Sequence, residues 1–292
     1  MAEVSNPQRE SELIDSHVHV FPQDVNSRRE QLIQSDRWFE ELYSNPDASL
    51  ASTDTLLASM EAAGVSRSIL CGFPWSDPGL CRHHNDYMAD SRKHHPARLD
   101  WLATVVPHDG HAAAEAERAF AQGAVGVGEL NADGQGFLFE EPDGMSDLVD
   151  VCQAWNRPIM FHVSEPVGHA YPGKGTATPD KLLVFLQRFP GVQVIAAHWG
   201  GGLPFYEMMP EVSALTRNVV YDSAATTYLY RFPVFPTVIS LVGSRRVLFA
   251  SDYPVLRQDR LVKRVRGLAM ADDTWRLVTC ENARRVFQLE KG

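Results

Sequence analysis

No apolar run in this chain approaches the roughly 20 residues that a membrane-spanning helix requires, so no membrane partner is expected. The start, Met1-Ala2-Glu3-Val4-Ser5-Asn6, has neither the basic lead nor the apolar core of a secretion signal; residues 1–12 read as a polar lead-in. Basic clusters are missing too. With a formal net charge of -10, nucleic acid and anionic membrane surfaces are poor partners, although one local arginine can still anchor a small anionic substrate. Cysteine is scarce. Cys71, Cys81, Cys152 and Cys280 match no zinc-finger spacing and are too few for a disulfide framework, so a reducing, cytoplasmic setting is expected. There is no linker, low-complexity stretch or internal repeat, and the whole chain, 1–292, is expected to be a single domain.

What the chain does have is a recurring pattern of short apolar runs that end in a metal-capable residue. The first is Leu13-Ile14-Asp15-Ser16-His17-Val18-His19-Val20. On a strand, side chains alternate faces, so His17 and His19 point the same way. Ile159-Met160-Phe161 leads to His162, Val194-Ile195-Ala196-Ala197 to His198, and Val247-Leu248-Phe249-Ala250-Ser251 to Asp252. Glu129 closes the run 124–130 between apolar neighbours; a carboxylate there pairs with a charge, accepts hydrogen bonds or binds a metal.

Between these runs lie stretches of helical periodicity. Helices are expected over 53–64, 85–95, 111–122, 145–156, 179–189, 233–242 and 257–270, with a last one over 273–289. Strands are expected over 13–20, 65–71, 99–106, 124–130, 157–163, 192–198, 218–222 and 247–252. Eight strands feeding helices at this spacing imply parallel strands and right-handed crossovers. The expected fold class is α/β, a (β/α)8 TIM barrel with an additional C-terminal helix.

In such a barrel every strand's C-terminal end opens on one face, where active sites sit. His17, His19, Glu129, His162, His198 and Asp252 all fall at that end, and strand eight neighbours strand one. Imidazole and carboxylate without thiolate suit zinc first, with manganese, iron(II) or cobalt also compatible. A bound ion would lower the pKa of water towards ~7. Asp252 could take a proton from that water, and His198 could polarise a carbonyl or shuttle a proton.

Secondary candidates come from the loops. The segment 21–52 is long for a loop, so short helices or a functional role are expected; its Arg37 is a candidate anchor for a substrate carboxylate. Trp199, Trp75 and Tyr171 could face a substrate ring, His169 and Lys174 could close over the mouth, and Asp222 could line the pocket or cap a turn. Cys81 could lie near the mouth. His83, His84, His94 and His95 are expected to be solvated or capping residues.

The chain resembles the amidohydrolase superfamily, specifically its amidohydrolase-2 branch, over nearly all of Leu13 to Leu289. The resemblance rests on His17-Val18-His19, on Phe189-Pro190-Gly191-Val192-Gln193-Val194-Ile195-Ala196-Ala197-His198-Trp199-Gly200-Gly201-Gly202, and on Leu248-Phe249-Ala250-Ser251-Asp252-Tyr253-Pro254. Glu281-Asn282-Ala283-Arg284-Arg285-Val286-Phe287 and the stretch 85–98 add to it. It implies His17, His19, His162 and Asp252 as ligands of a divalent ion. His198 is then either a catalytic residue beside one ion or a ligand of a second, and Glu129 a bridge between two. On that reading the expected function is metal-dependent hydrolysis of a small amide, lactone or ester. The alternative is non-oxidative decarboxylation of an unsaturated or aromatic carboxylic acid. A non-catalytic metal-binding barrel is the third reading. A homodimer is the default assembly.

Overall fold

In the computed structural model, residues 12–290 are described; the polar lead-in lies outside them except for Glu12. Eight strands, β1 Ile14–His19, β2 Arg67–Cys71, β3 Leu99–Ala103, β4 Gly126–Leu130, β5 Ile159–Phe161, β6 Val194–Ala196, β7 Val219–Asp222 and β8 Val247–Leu248, pair in parallel in sequence order. This is the (β/α)8 barrel. Every strand residue is buried, because helices cover the outer face and side chains fill the inner one. Ile14, Ile69, Leu102, Met160, Ile195 and Leu248 share one cluster with Ala283, Val286 and Phe287, so the C-terminal helix Asn282–Phe287 packs against the barrel's interior residues.

The closure between β8 and β1 differs from expectation. Regular pairing of β8 covers two residues, not six. Beyond Leu248 one backbone bond, from Ser16 N to the Phe249 carbonyl at 2.9 Å, is followed by side chains: Ala250 N donates to Ser223 Oγ at 2.9 Å and Ser251 N to Asp15 Oδ1 at 2.9 Å. Backbone bonds then resume along β1, with Asp252 N to the His17 carbonyl at 3.0 Å and His19 N to the Tyr253 carbonyl at 2.6 Å. Asp252 therefore stands four residues past the strand, at a left-handed φ of 66°.

Other elements also move from their expected bounds: β3, β5 and β6 are shorter than expected by three, four and four residues. The helix expected from residue 85 starts at Pro78 and runs to His94. Asp77 caps it by accepting from Leu80 N at 2.8 Å, and proline suits the first helical position because its missing N–H has no intrahelical partner there. The C-terminal stretch is one rod in three parts, Asp272–Arg276, a wider turn over Leu277–Glu281, and Asn282–Phe287. The long segment after β1 folds into three short helices, Gln23–Ser27, Arg29–Ser35 and Arg37–Tyr43. Their aromatic side chains, Trp38, Phe39 and Tyr43, join Phe21, Phe73 and Trp75 in a separate cluster. Asp36 caps the third helix and also accepts from Ser76 N at 3.0 Å, tying this lobe to the loop after β2.

His84 is corrected: it is fully buried, not solvated. Its Nε2 donates to the Val20 carbonyl at 2.6 Å, and its Nδ1 accepts from Trp75 Nε1 at 3.1 Å. Burial pushes its pKa down from 6.5 to about 4. The unfolded imidazole thus binds its proton more readily than the folded one. Stability is fully present above pH 6.5 and declines as pH falls from 6.5 towards about 4, by about 3 kcal/mol for this group. Urea titrations of the wild type and His84→Gln across that range check it: the variant should lose this part of the slope.

Candidate active site

The rim of the barrel at the strands' C-terminal ends holds six convergent side chains. His17 and His19, on the same face of β1, bring their Nε2 atoms to 3.1 Å. Asp252 Oδ1 lies 3.4 Å from His19 Nε2 and 3.9 Å from His17 Nε2. Glu129, near the end of β4, sits between two groups. Its Oε2 is 3.4 Å from His17 Nε2 and 3.7 Å from His19 Nε2, while its Oε1 is 3.0 Å from both His162 Nδ1 and His198 Nε2. Among the described residues no arginine pairs with Glu129, and its charge is met by imidazoles.

The backbone explains the placement of His198. Past β6 the chain enters the left-handed region from His198 (φ 58°) through Gly202 (φ 93°). This turns the His198 ring back over the barrel. At Gly201 a Cβ would collide with the Ser164 carbonyl of the loop after β5, so only glycine permits that approach. Gly201→Ala is expected to destabilise the fold by about 3 kcal/mol, read from urea midpoints.

Asp222 contributes more than its place in the sequence suggests. It is fully buried at the end of β7. Its Oδ2 accepts from His17 Nδ1 at 2.8 Å, and its Oδ1 accepts from the backbone N of His198 at 2.8 Å and of Ala224 at 3.0 Å. It therefore fixes the His17 tautomer, leaving the Nε2 lone pair facing the centre.

Burial opposes charge throughout this cluster, and the close pairs overcome it. Glu129 is held well below the usual carboxylate range by His17 and His162 despite burial. Asp252 is likewise lowered against burial by its hydrogen bond to His19 and by neighbouring imidazoles. For His198, burial lowers the pKa, but the hydrogen bond and charge of Glu129 raise it to about 9.

The residues fit a divalent cation. Two donors that share an ion at ~2.1 Å each stand ~3.0–3.4 Å apart. The His17–His19 and His19–Asp252 spacings of 3.1 and 3.4 Å match this. His17, His19 and Asp252 form one compact donor group and Glu129, His162 and His198 a second. The set His17, His19, His162 and Asp252 implied by the resemblance is thus divided, with His162 on the Glu129 side.

A cavity of about 570 Å³ opens above this floor. Its walls mix aliphatic and polar side chains with five aromatic ones, Trp38, Tyr43, Phe73, Tyr171 and Tyr228. Arg37 is not part of it. Arg37 is exposed at the start of its helix, whereas the next residue, Trp38, turns inward to lie 6.4 Å from the His162 ring. Trp199 does not reach the cavity either; it is core, donating to Thr226 Oγ1 at 2.9 Å and packing edge-on against Phe235. Trp75 and Cys81 are also buried core residues. His169 and Tyr171 do line the cavity, while Lys174 is outside the lining. Asn131 lines it too and is a residue that no motif marked.

Comparison with known proteins decides the family. The family model described as "Amidohydrolase" matches residues 14–289. The chain belongs to the amidohydrolase family. Its amidohydrolase-2 relatives include a gamma-resorcylate decarboxylase of a Polaromonas species, 22% identical over 253 residues, covering 72% of this chain and 76% of the relative. Among solved structures, 5-carboxyvanillate decarboxylase from Sphingomonas paucimobilis has a TM-score of 0.82 at 21% identity, covering 96% of this chain and 99% of that one. A dihydroxybenzoic acid decarboxylase from Polaromonas sp., solved with manganese and 2-nitroresorcinol, has a TM-score of 0.77 at 18% identity, covering 97% and 98%. These amidohydrolases share the fold. They also correct one expectation: hydrolysis of an amide, lactone or ester is overturned, because these amidohydrolase relatives are decarboxylases of aromatic acids. Among the described residues no helix is long and apolar enough to cross a membrane.

Proposed function

We propose that this protein is a divalent-metal-dependent, non-oxidative decarboxylase of an aromatic carboxylic acid. The observation that carries the reading is the cavity floor: His17, His19 and Asp252 form a cation-sized donor group beside His198, whose Nε2 lies 3.0 Å from Glu129. The aromatic side chains of the walls suit a planar ring, and the relatives act on resorcylate, carboxyvanillate and dihydroxybenzoate. Manganese is the preferred ion, since three of the structural neighbours were solved with it.

The reaction adds a proton to the ring carbon that bears the carboxylate. The bond from that carbon to the carboxylate then breaks, its electron pair returns to the ring, and CO2 leaves. A divalent ion held by His17, His19 and Asp252 would supply the positive charge that fixes the oxygen substituents of the ring. Glu129 Oε2 faces the same point. His198 is the proton carrier: the Glu129 carboxylate beside it raises its pKa against burial, and Glu129 Oε1 orients it. Trp38, Tyr43 and Phe73 wall the ring and exclude water. We read residues 1–292 as one catalytic domain working in the cytoplasm, in keeping with four unpaired cysteines, and a homodimer as the default assembly.

The test is incubation of manganese-loaded protein with 2,6-dihydroxybenzoate and 5-carboxyvanillate in D2O. Deuterium should appear at the ring carbon that lost CO2, seen by NMR. No CO2 from any aromatic acid in a wider panel would remove the reading.

A further inference from the structure

The cavity poses a charge problem for an anionic substrate. Among the described residues that line it, none is lysine or arginine. One divalent ion on the floor would be balanced by the carboxylates of Glu129 and Asp252, and Asp47 adds a further acid to the lining. An aromatic carboxylate would therefore meet little net positive charge there. Outside the floor, one lining side chain is an imidazole, His169.

His169 sits on the loop between β5 and the helix Pro179–Arg188, and that loop is well pinned. Gly173 N donates to Glu41 Oε1 at 3.0 Å. Asp133 accepts from Thr176 N at 2.7 Å and from Thr176 Oγ1 at 2.8 Å. The Lys174 ammonium donates to the Val167 carbonyl at 2.8 Å and to the His169 carbonyl at 3.1 Å, so the charge of Lys174 is spent on holding the loop. Tyr171, which lines the same cavity, is fixed by donating to Glu165 Oε2 at 2.8 Å, and its ring centroid stands 5.5 Å from that of His169. Among the described residues the His169 ring makes no hydrogen bond or ion pair, in contrast to the floor histidines.

We infer that His169 is the substrate's carboxylate anchor: its ring N–H, carried on a strapped loop at the cavity wall, hydrogen-bonds the acid group and selects acids over uncharged phenols. An N–H donor is present whether the imidazole is neutral or protonated. The inference deepens the decarboxylase reading and rests on it for the choice of ligand.

The experiment is calorimetric titration of manganese-loaded wild type, His169→Ala and His169→Arg with 2,6-dihydroxybenzoate and with resorcinol, beside steady-state kinetics. His169→Ala should weaken the acid about tenfold or more and leave resorcinol within about twofold. KM should rise accordingly, with kcat changed less than about threefold. His169→Arg should restore most of the acid affinity. Equal weakening of both ligands would indicate that His169 only packs the loop, and unchanged acid affinity would remove the anchor; either overturns the inference. If the wild type binds the acid without releasing CO2, yet His169→Ala loses acid selectivity, the anchor stands and the decarboxylase reading falls. If the wild type releases CO2 and the acid-to-resorcinol ratio is unchanged in His169→Ala, the anchor alone falls. A wild type that binds no aromatic acid sinks both.

Discussion

His198→Asn is expected to lower kcat about a thousandfold while metal content stays at the wild-type level. The magnitude is that of losing a positioned proton donor. Asparagine isolates the chemical role because it tolerates the left-handed backbone that His198 occupies at φ 58°, and its N–H still donates to Asp222. The compact donor group of His17, His19 and Asp252 remains intact in the variant. Elemental analysis beside the kinetics separates the two roles of this histidine. A parallel fall of activity and bound ion would make His198 a ligand.

Asp222→Ala should act the other way round, with the ion lost first. Its carboxylate touches nothing in the cavity, but it fixes His17 through Nδ1 and His198 through the backbone. Removing an orienting partner of this kind lowers metal affinity about 10- to 100-fold. It also leaves a buried imidazole N–H and two backbone N–H groups without an acceptor, at about 1–3 kcal/mol for each buried group left unsatisfied. Competition with a chromogenic chelator would read the affinity, and a thermal melt the stability. Asp222→Asn keeps an acceptor and should recover part of both. An alanine variant with wild-type metal affinity would show that packing alone orients His17.

The barrel and its rim were legible because both are written in local periodicity. Apolar runs at strand length, each ending in a donor, put His17, His19, Glu129, His162, His198 and Asp252 at one end of parallel strands, and the structure brings these six together. Features that depend on one residue's angle around a helix were not legible. Arg37 and Trp38 are adjacent, yet a helix turns about 100° per residue, so one faces solvent and the other the cavity. His83 and His84 part in the same way, one pairing with exposed Asp24 and the other buried. Asp222 was visible only as an acid at a strand's end, since its partners in the site, His17 and His198, are 205 and 24 residues away in sequence. The choice of reaction was not legible either. The same donors can serve water attack or carbon protonation, and it took the amidohydrolase-2 relatives to separate them.

The central claim is a divalent-ion-dependent release of CO2 at this rim. The direct measurement is CO2 release from 2,6-dihydroxybenzoate by chelator-stripped protein as manganese is added back in known amounts. Stripped protein should be silent, and activity should rise linearly and break at about one ion per chain, in keeping with a single cation held by His17, His19 and Asp252. Full CO2 release from protein that elemental analysis finds free of metal would contradict the account. So would activity that appears only as a second ion binds.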